Sequence, residues 1–314
     1  MSDVDHVPEA PPGRRLGARE GILVVAIAVA LLVVFRGESI RSSGEELDSG
    51  LERTAVLAVG KPAGWIAERL PFDEAASDAL AFLDPDDDLG GEGGFDSAGR
   101  AGGPELKPAA ELKSVLVTGD SLAQPLDTEL ARRLSEEDRV KVVRDVKLGT
   151  GISKTGLLDW GKFSLQQARR EEPDAVVVFL GANEGFPIPV KGREVKCCGA
   201  NWTAAYSARV RRVMDNYRRR GATRVYWLRL PAPRDGSRRR IAGAVNAGID
   251  AAAEAFPHHV RVVDLEHTFT PGGRYRDTRG KTRVREPDGI HLNQAGAEIA
   301  AGGVLAVLRR DFGG

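Results

Sequence analysis

The chain has 314 residues, 42% of them hydrophobic, and its 45 Lys and Arg are balanced by 45 Asp and Glu for a net charge of zero. That balance gives no polyanion-binding signature over the whole chain, and no segment resembles a nucleic-acid-binding module, so nucleic acid is not expected as a partner. About 200 residues suffice for one full hydrophobic core, which leaves a sizeable part of this chain for other work.

In chain order, the first feature is residues 21–35 (GILVVAIAVALLVVF), an uncharged run flanked by Arg14, Arg15 and Arg19 before it and Arg36 after it. It reads as a membrane segment. It is shorter than the roughly 20 apolar residues that usually span a bilayer, so a cleaved signal peptide is the competing reading. No A-x-A-like cleavage site follows in RGESIRSSGEE, which favours an uncleaved anchor. Arginines crowd the N-terminal side, while Glu45, Glu46 and Asp48 follow. Residues 1–20 are therefore expected in the cytoplasm and the remainder of the chain outside, at the cell membrane.

Residues 36–110 are expected to form an extracytoplasmic stalk and linker. Scattered helical periodicity over 51–82 includes Trp65, Ile66, Leu70, Ala79 and Leu80. The stretch 84–104 (DPDDDLGGEGGFDSAGRAGGP) holds too much Gly and Asp to bury enough apolar surface against chain entropy, and reads as a flexible tether.

From residue 111 to 314 the pattern changes to alternation. Strand-like runs fall at 115–118, 140–146, 175–180, 225–230 and 260–264, and helical patterns at 124–135, 157–171, 201–220, 239–256 and 294–310. This order predicts an α/β domain: a three-layer α/β/α sandwich with a central, mostly parallel sheet. The stretch GGRYRDTRGKTRVREPDGI interrupts the alternation and is expected as a hairpin or long loop. No internal repeat is present.

Two short segments carry chemistry. In VTGDSL, a β-branched strand ends at Gly119, which permits a sharp turn, and Ser121 follows. Leu122, Leu126 and Leu130 recur at helical spacing, so the Ser121 N–H is expected at a helix N-terminus, where an oxyanion is favoured. A turn followed by a helix cap would explain Gly-Asp-Ser alone. A serine nucleophile needs a base, and the base needs a group that fixes its tautomer. Of the five histidines, only His291 has a local carboxylate, Asp288, with Gly289 and Ile290 as the turn between them. Taken alone, Asp-x-x-His is more simply a helix cap; the two segments together make a nucleophile, a base and its orienting acid. Asn183, after the apolar run ending at Leu180, stands at a strand C-terminus, where open α/β sheets place their active-site loops. A plain turn residue is its alternative.

The remaining features say less. Cys197 and Cys198 are adjacent, so they are surface thiols, a vicinal disulfide or a link to another chain, with no metal cluster beside them. The loop 185–200 that carries them is expected near the rim of a pocket. Trp160 and Phe163 are expected either in the core or lining the pocket's other side. Arg209, Arg211, Arg212, Arg218 to Arg220, Arg234 and Arg238 to Arg240 are read as solvated helix faces, with an anionic glycan or lipid headgroup as the sharper alternative.

From residue 112 to the C-terminus the chain resembles the SGNH hydrolases, or GDSL-like esterases, whose four blocks contribute Ser, Gly, Asn and His. Ser121 matches in GDSL, Gly151 in GTGIS, Asn183 in FLGANE, and Asp288 with His291 in DGIHL. Gly149 is a near neighbour of the second match; the polar turn and TGL after Gly151 fit the pattern better. The resemblance implies a flavodoxin-like fold and a triad of Ser121, His291 and Asp288. It also implies an oxyanion hole of the Ser121 and Gly151 N–H groups and the Asn183 amide, and no cofactor or metal. The implied activity is hydrolysis of an acyl ester, such as an acetyl ester, on a cell-envelope carbohydrate or a small molecule. Transfer of the same acyl group to a glycan hydroxyl, with a membrane acyltransferase as donor partner, is the second reading, and a non-catalytic binding module the third.

Overall fold

The structure, a computed structural model, describes residues 104–136 and 139–313 together with Phe95. The expected cytoplasmic tail, the anchor at 21–35 and nearly all of the expected stalk lie outside the described residues. No helix among the described residues is long and apolar enough to cross a membrane.

Five strands form the central sheet: β1 (Ser114–Gly119), β2 (Lys141–Val146), β3 (Ala175–Phe179), β6 (Arg224–Leu228) and β7 (Val260–Val263), with β4 (Ile188–Val190) and β5 (Arg193–Val195) making a separate hairpin. The sheet order is β2-β1-β3-β6-β7 and every pairing is parallel. The sequence explains the order of burial. AVVVF in β3 is buried at every position, as are the last five residues of β1 and the last four of β6, because a parallel strand covered on both faces needs an unbroken apolar run. KVVRDV in β2 leaves its positions exposed or half-buried, which suits an edge.

The helices are α1 (Leu126–Glu136), α2 (Trp160–Glu171), α3 (Ala200–Arg218), α4 (Gly236–Ala253), the short α5 (Leu265–Phe269) and α6 (Gln294–Phe312). Right-handed crossovers from β2 past β1 to β3 and onward to β7 put α2, α3 and α4 on one face, and the opposite direction of β1 to β2 puts α1 on the other. The contacts agree: α2 packs on α3 and α3 on α4, while α6 returns to pack on α1. Trp160, Trp202, Trp227, Tyr206 and Tyr217 fill the core beneath these helices. All five expected strands and five expected helices are present, with shifts at their ends. The interrupting stretch contains the two-residue strands β8 (Thr278–Arg279) and β9 (Thr282–Arg283), paired antiparallel as a hairpin.

One local expectation is corrected. The helix after Ser121 does not begin beside it. Ser121–Ala123 is a single 3-10 turn capped by Asp120, Gln124 is extended, and α1 starts only at Leu126. Pro125 supplies no N–H and biases Gln124 away from the helical region, which separates the turn from the helix. Helix-dipole support for an oxyanion at Ser121 therefore falls away, and the N–H groups of the turn itself remain.

Candidate active site

Where the sheet order reverses, the loops after β1 and β3 diverge at the strand C-termini, the usual place for a ligand crevice in an open α/β sheet. Gly119 makes the junction: its φ is 145°, and a Cβ there would collide with the Phe179 carbonyl oxygen. Asp120, fully buried, then ties the loops together. Its Oδ2 accepts from the Gly181 N–H at 2.9 Å and the Ala182 N–H at 2.7 Å, and its Oδ1 from the Leu122 N–H at 2.9 Å. Burial pushes this carboxyl upward against those bonds and against the nearby His291.

Ser121 Oγ lies 2.8 Å from His291 Nε2, and His291 Nδ1 lies 2.5 Å from Asp288 Oδ2. The other Asp288 oxygen accepts from the N–H groups of Ile290 at 2.8 Å and His291 at 3.1 Å, so the turn that holds the acid also fixes the histidine backbone. Burial acts to raise the Asp288 pKa, but the His291 bond and those N–H groups outweigh it and hold the carboxyl at about 2. For His291, burial acts downward, and Asp288, helped by Asp120 and Glu286, outweighs it and lifts the imidazole above its ordinary value of 6.5. An ionised Asp288 accepting from Nδ1–H leaves Nε2 to face the serine as the basic nitrogen.

Gly151 and Asn183 come to the same place. A Cβ on Gly151 would press to 2.9 Å from the Asn183 carbonyl oxygen, so only glycine allows the two loops to meet this closely. The Asn183 amide nitrogen donates to the Thr150 carbonyl at 3.0 Å and makes a long 3.5 Å contact with Asp120 Oδ2. Two acceptors around one nitrogen fix the amide orientation.

Several positioning residues carry no motif of their own. Glu184, next to Asn183 and buried, accepts from the Ile152 N–H at 2.7 Å, the Ser153 N–H at 2.8 Å and the Ser153 hydroxyl at 2.5 Å. Tyr206 donates to it at 3.2 Å, and Arg209 holds the Ile152 carbonyl at 3.1 Å. These bonds clamp the Gly151 loop to the end of β3. Arg285, 1% exposed, donates to the Ile290 carbonyl at 2.6 Å and the Ala232 carbonyl at 3.1 Å, which ties the Asp288 to His291 turn to the loop after β6. Burial pushes its guanidinium down to about 10.

Glu184→Ala is expected to leave two buried N–H groups and two hydroxyls without their acceptor. The expected cost is about 3 to 5 kcal/mol of stability, read as a lower midpoint in urea unfolding, with activity falling because the Gly151 loop is released. An unchanged midpoint would show that the clamp is not structural.

Other expected residues sit elsewhere. Trp160 and Phe163 are both buried and meet edge to face at 5.4 Å, so they belong to the core; Trp160 still braces the site, its indole N–H donating to Thr150 Oγ1 at 3.2 Å. Cys197 and Cys198 are disulfide-bonded to each other. Arg209 is buried rather than on a solvated face, with its guanidinium 4.8 Å from the Phe95 ring centroid. No group of three or more His, Cys, Asp or Glu among the described residues could hold a metal ion.

The chain is similar to several solved structures of low sequence identity. The catalytic domain of peptidoglycan O-acetyltransferase A from Streptococcus pneumoniae is 15% identical, with 64% of this chain and 95% of that one covered and a TM-score of 0.44. A carbohydrate esterase family 3 protein from Talaromyces cellulolyticus is 15% identical over 63% of this chain and 97% of that one, TM-score 0.44. A member of the lipolytic G-D-S-L family from Veillonella parvula gives 15%, 63%, 99% and 0.44 for the same four quantities. No curated protein matches the chain. Residues 114–307, which run from the first strand through most of the last helix and include every residue of the site above, match the family described as "Protein of unknown function (DUF459)", and the chain belongs to that family.

Proposed function

We propose that this protein is a serine esterase that cleaves an acyl ester through an acyl-serine intermediate. The observation that carries the proposal is the continuous chain from Ser121 Oγ through His291 to Asp288, with contacts of 2.8 and 2.5 Å. In this mechanism Ser121 attacks the ester carbonyl while His291 takes its proton and passes it to the leaving alcohol. Asp288 holds the imidazole in the productive tautomer. The oxyanion is received by the Ser121 and Gly151 N–H groups and by the Asn183 amide, each such donor lowering the barrier by roughly 3 kcal/mol. Water then repeats the sequence to free the acid. The acylated substrate we favour is a cell-envelope carbohydrate. Support comes from the arginine asymmetry around 21–35, which argues for an anchor with the catalytic domain outside.

The test is ester hydrolysis by the full-length chain as a function of pH. Only neutral His291 accepts the serine proton, and its pKa is raised, so kcat/KM is expected to fall on the acid side with a midpoint above 6.5. Asp288 stays ionised throughout that range because its carboxyl is held at about 2. A flat profile between pH 5 and 8 would remove His291 as the base. Adding an oligosaccharide acceptor to the same assay separates hydrolysis from transfer: diversion of the acyl group from water to the sugar would identify an acyltransferase using the same acyl-enzyme.

A further inference from the structure

The clamp on the Gly151 loop has an outer layer. Arg209 of α3 donates to the Ile152 carbonyl at 3.1 Å, and the Ser153 N–H donates to Glu184 Oε2 at 2.8 Å. That carbonyl and that N–H belong to one planar peptide unit, which is therefore gripped from one side by a cation and from the other by a carboxylate. The preceding peptide is held through the Ile152 N–H, 2.7 Å from Glu184 Oε1, and Gly151 comes immediately before it. Arg209 is 8% exposed, and against its guanidinium lies the ring of Phe95, with the centroid 4.8 Å from Cζ. Phe95 is the single aromatic residue of the Gly- and Asp-rich stretch 84–104. It does not stand free in water: it is half-buried and packs on the core of the domain. Its seat is a groove between the β4–β5 hairpin, which contributes Ile188 and Val195, and α3, which contributes Ala204, Ala205 and Ala208. Those short alanine side chains leave room for a ring.

Resting on the esterase reading, we propose that Phe95 is a positioning residue for the oxyanion hole: by closing over Arg209 it fixes the peptide units that follow Gly151. An arginine side chain has several rotatable bonds, and holding one carbonyl in place requires that they be confined. The face of an aromatic ring confines the guanidinium and attracts it at the same time, and it keeps water from competing for the bond to Ile152. Without the ring, Arg209 gains solvent and freedom, and one side of the grip on the Ile152–Ser153 peptide loosens. The Gly151 N–H then loses its aim at the oxyanion. Because that donor acts on charge that develops in the transition state, the loss falls on kcat and leaves KM in place. The stretch 84–104, expected as a tether, thus supplies part of the support for the site through its one aromatic residue.

The experiment is made on the full-length chain with Phe95→Leu, which keeps an apolar side chain and removes the ring, and Phe95→Tyr, which keeps the ring. Hydrolysis of para-nitrophenyl acetate is measured per serine labelled at the end point by a fluorophosphonate, so that misfolded protein is not counted. Phe95→Leu is expected to lower kcat roughly tenfold with KM unchanged, and Phe95→Tyr to retain most of the rate. Hydrogen exchange at the Ile152 and Ser153 amides should speed up in Phe95→Leu and stay near the wild-type rate in Phe95→Tyr. An unchanged kcat in Phe95→Leu, or a fall in Phe95→Tyr as deep as in Phe95→Leu, overturns the positioning role. If that happens while the wild type is labelled at Ser121 and hydrolyses the ester, the esterase reading stands. A wild type that is neither labelled nor active overturns both.

Discussion

Ser121→Ala is expected to lower ester hydrolysis by a factor of roughly ten thousand to a million, and His291→Ala by a similar factor. The two side chains act as a unit, with Oγ and Nε2 at 2.8 Å, so losing either removes the nucleophile's activation and the second loss adds little. The double variant should therefore be about as slow as either single one. The fold should be indifferent, because neither side chain is among the buried residues that build the core. Assays of kcat on the three variants, with thermal unfolding beside them, check both parts. Substantial activity in either single variant would remove that residue from the mechanism.

The second large effect is at Asp288. Asp288→Asn keeps the shape of the turn but replaces the ionised acceptor of the His291 Nδ1–H, at 2.5 Å, by a neutral amide. The imidazole can then put its proton on Nε2, where it opposes rather than accepts the serine proton, and kcat is expected to drop by roughly ten thousandfold. The residual activity carries a second signature. Asp288 is what lifts the His291 pKa against burial, so its neutralisation should move the acid limb of kcat/KM to lower pH. A large drop in rate with an unmoved acid limb would mean that the histidine titration is set elsewhere.

Much of the fold is legible in the sequence. The unbroken apolar runs of β1, β3 and β6 state their burial on both faces, and the alternation with amphipathic helices dictates a parallel sheet. Ser121 and His291 are 170 residues apart, and the sequence associates them because Ser121 follows a strand end at a sharp turn while His291 stands beside Asp288 just before a helix. Leu122 continues the helical spacing of Leu126 and Leu130 although it belongs to a 3-10 turn, so spacing alone places the start of α1 too early; the break at Gln124 and Pro125 marks the boundary. The clamps were harder. Glu184 looks like any polar residue after a turn until the Gly151 loop, 31 and 32 residues earlier, folds back over it. Arg285 reads as one more cation in a basic stretch, yet it is buried and spans 53 residues to reach Ala232. Roles of that kind depend on which carbonyls and N–H groups the fold leaves facing one another, which periodicity does not encode. The basic helix faces divide for the same reason: Arg209 is drawn inward by the Ile152 carbonyl, while Arg238 lines a cleft with Leu122, Ala182 and Ile290.

The most direct measurement is intact-mass analysis of the full-length chain after exposure to a fluorophosphonate, beside the Ser121→Ala variant. An activated serine displaces fluoride and keeps the phosphonyl group without any need for the natural substrate. The account predicts one adduct on the wild-type chain and none on Ser121→Ala. An unlabelled wild type, or an adduct that persists in the variant, would contradict the claim that Ser121 is an activated nucleophile.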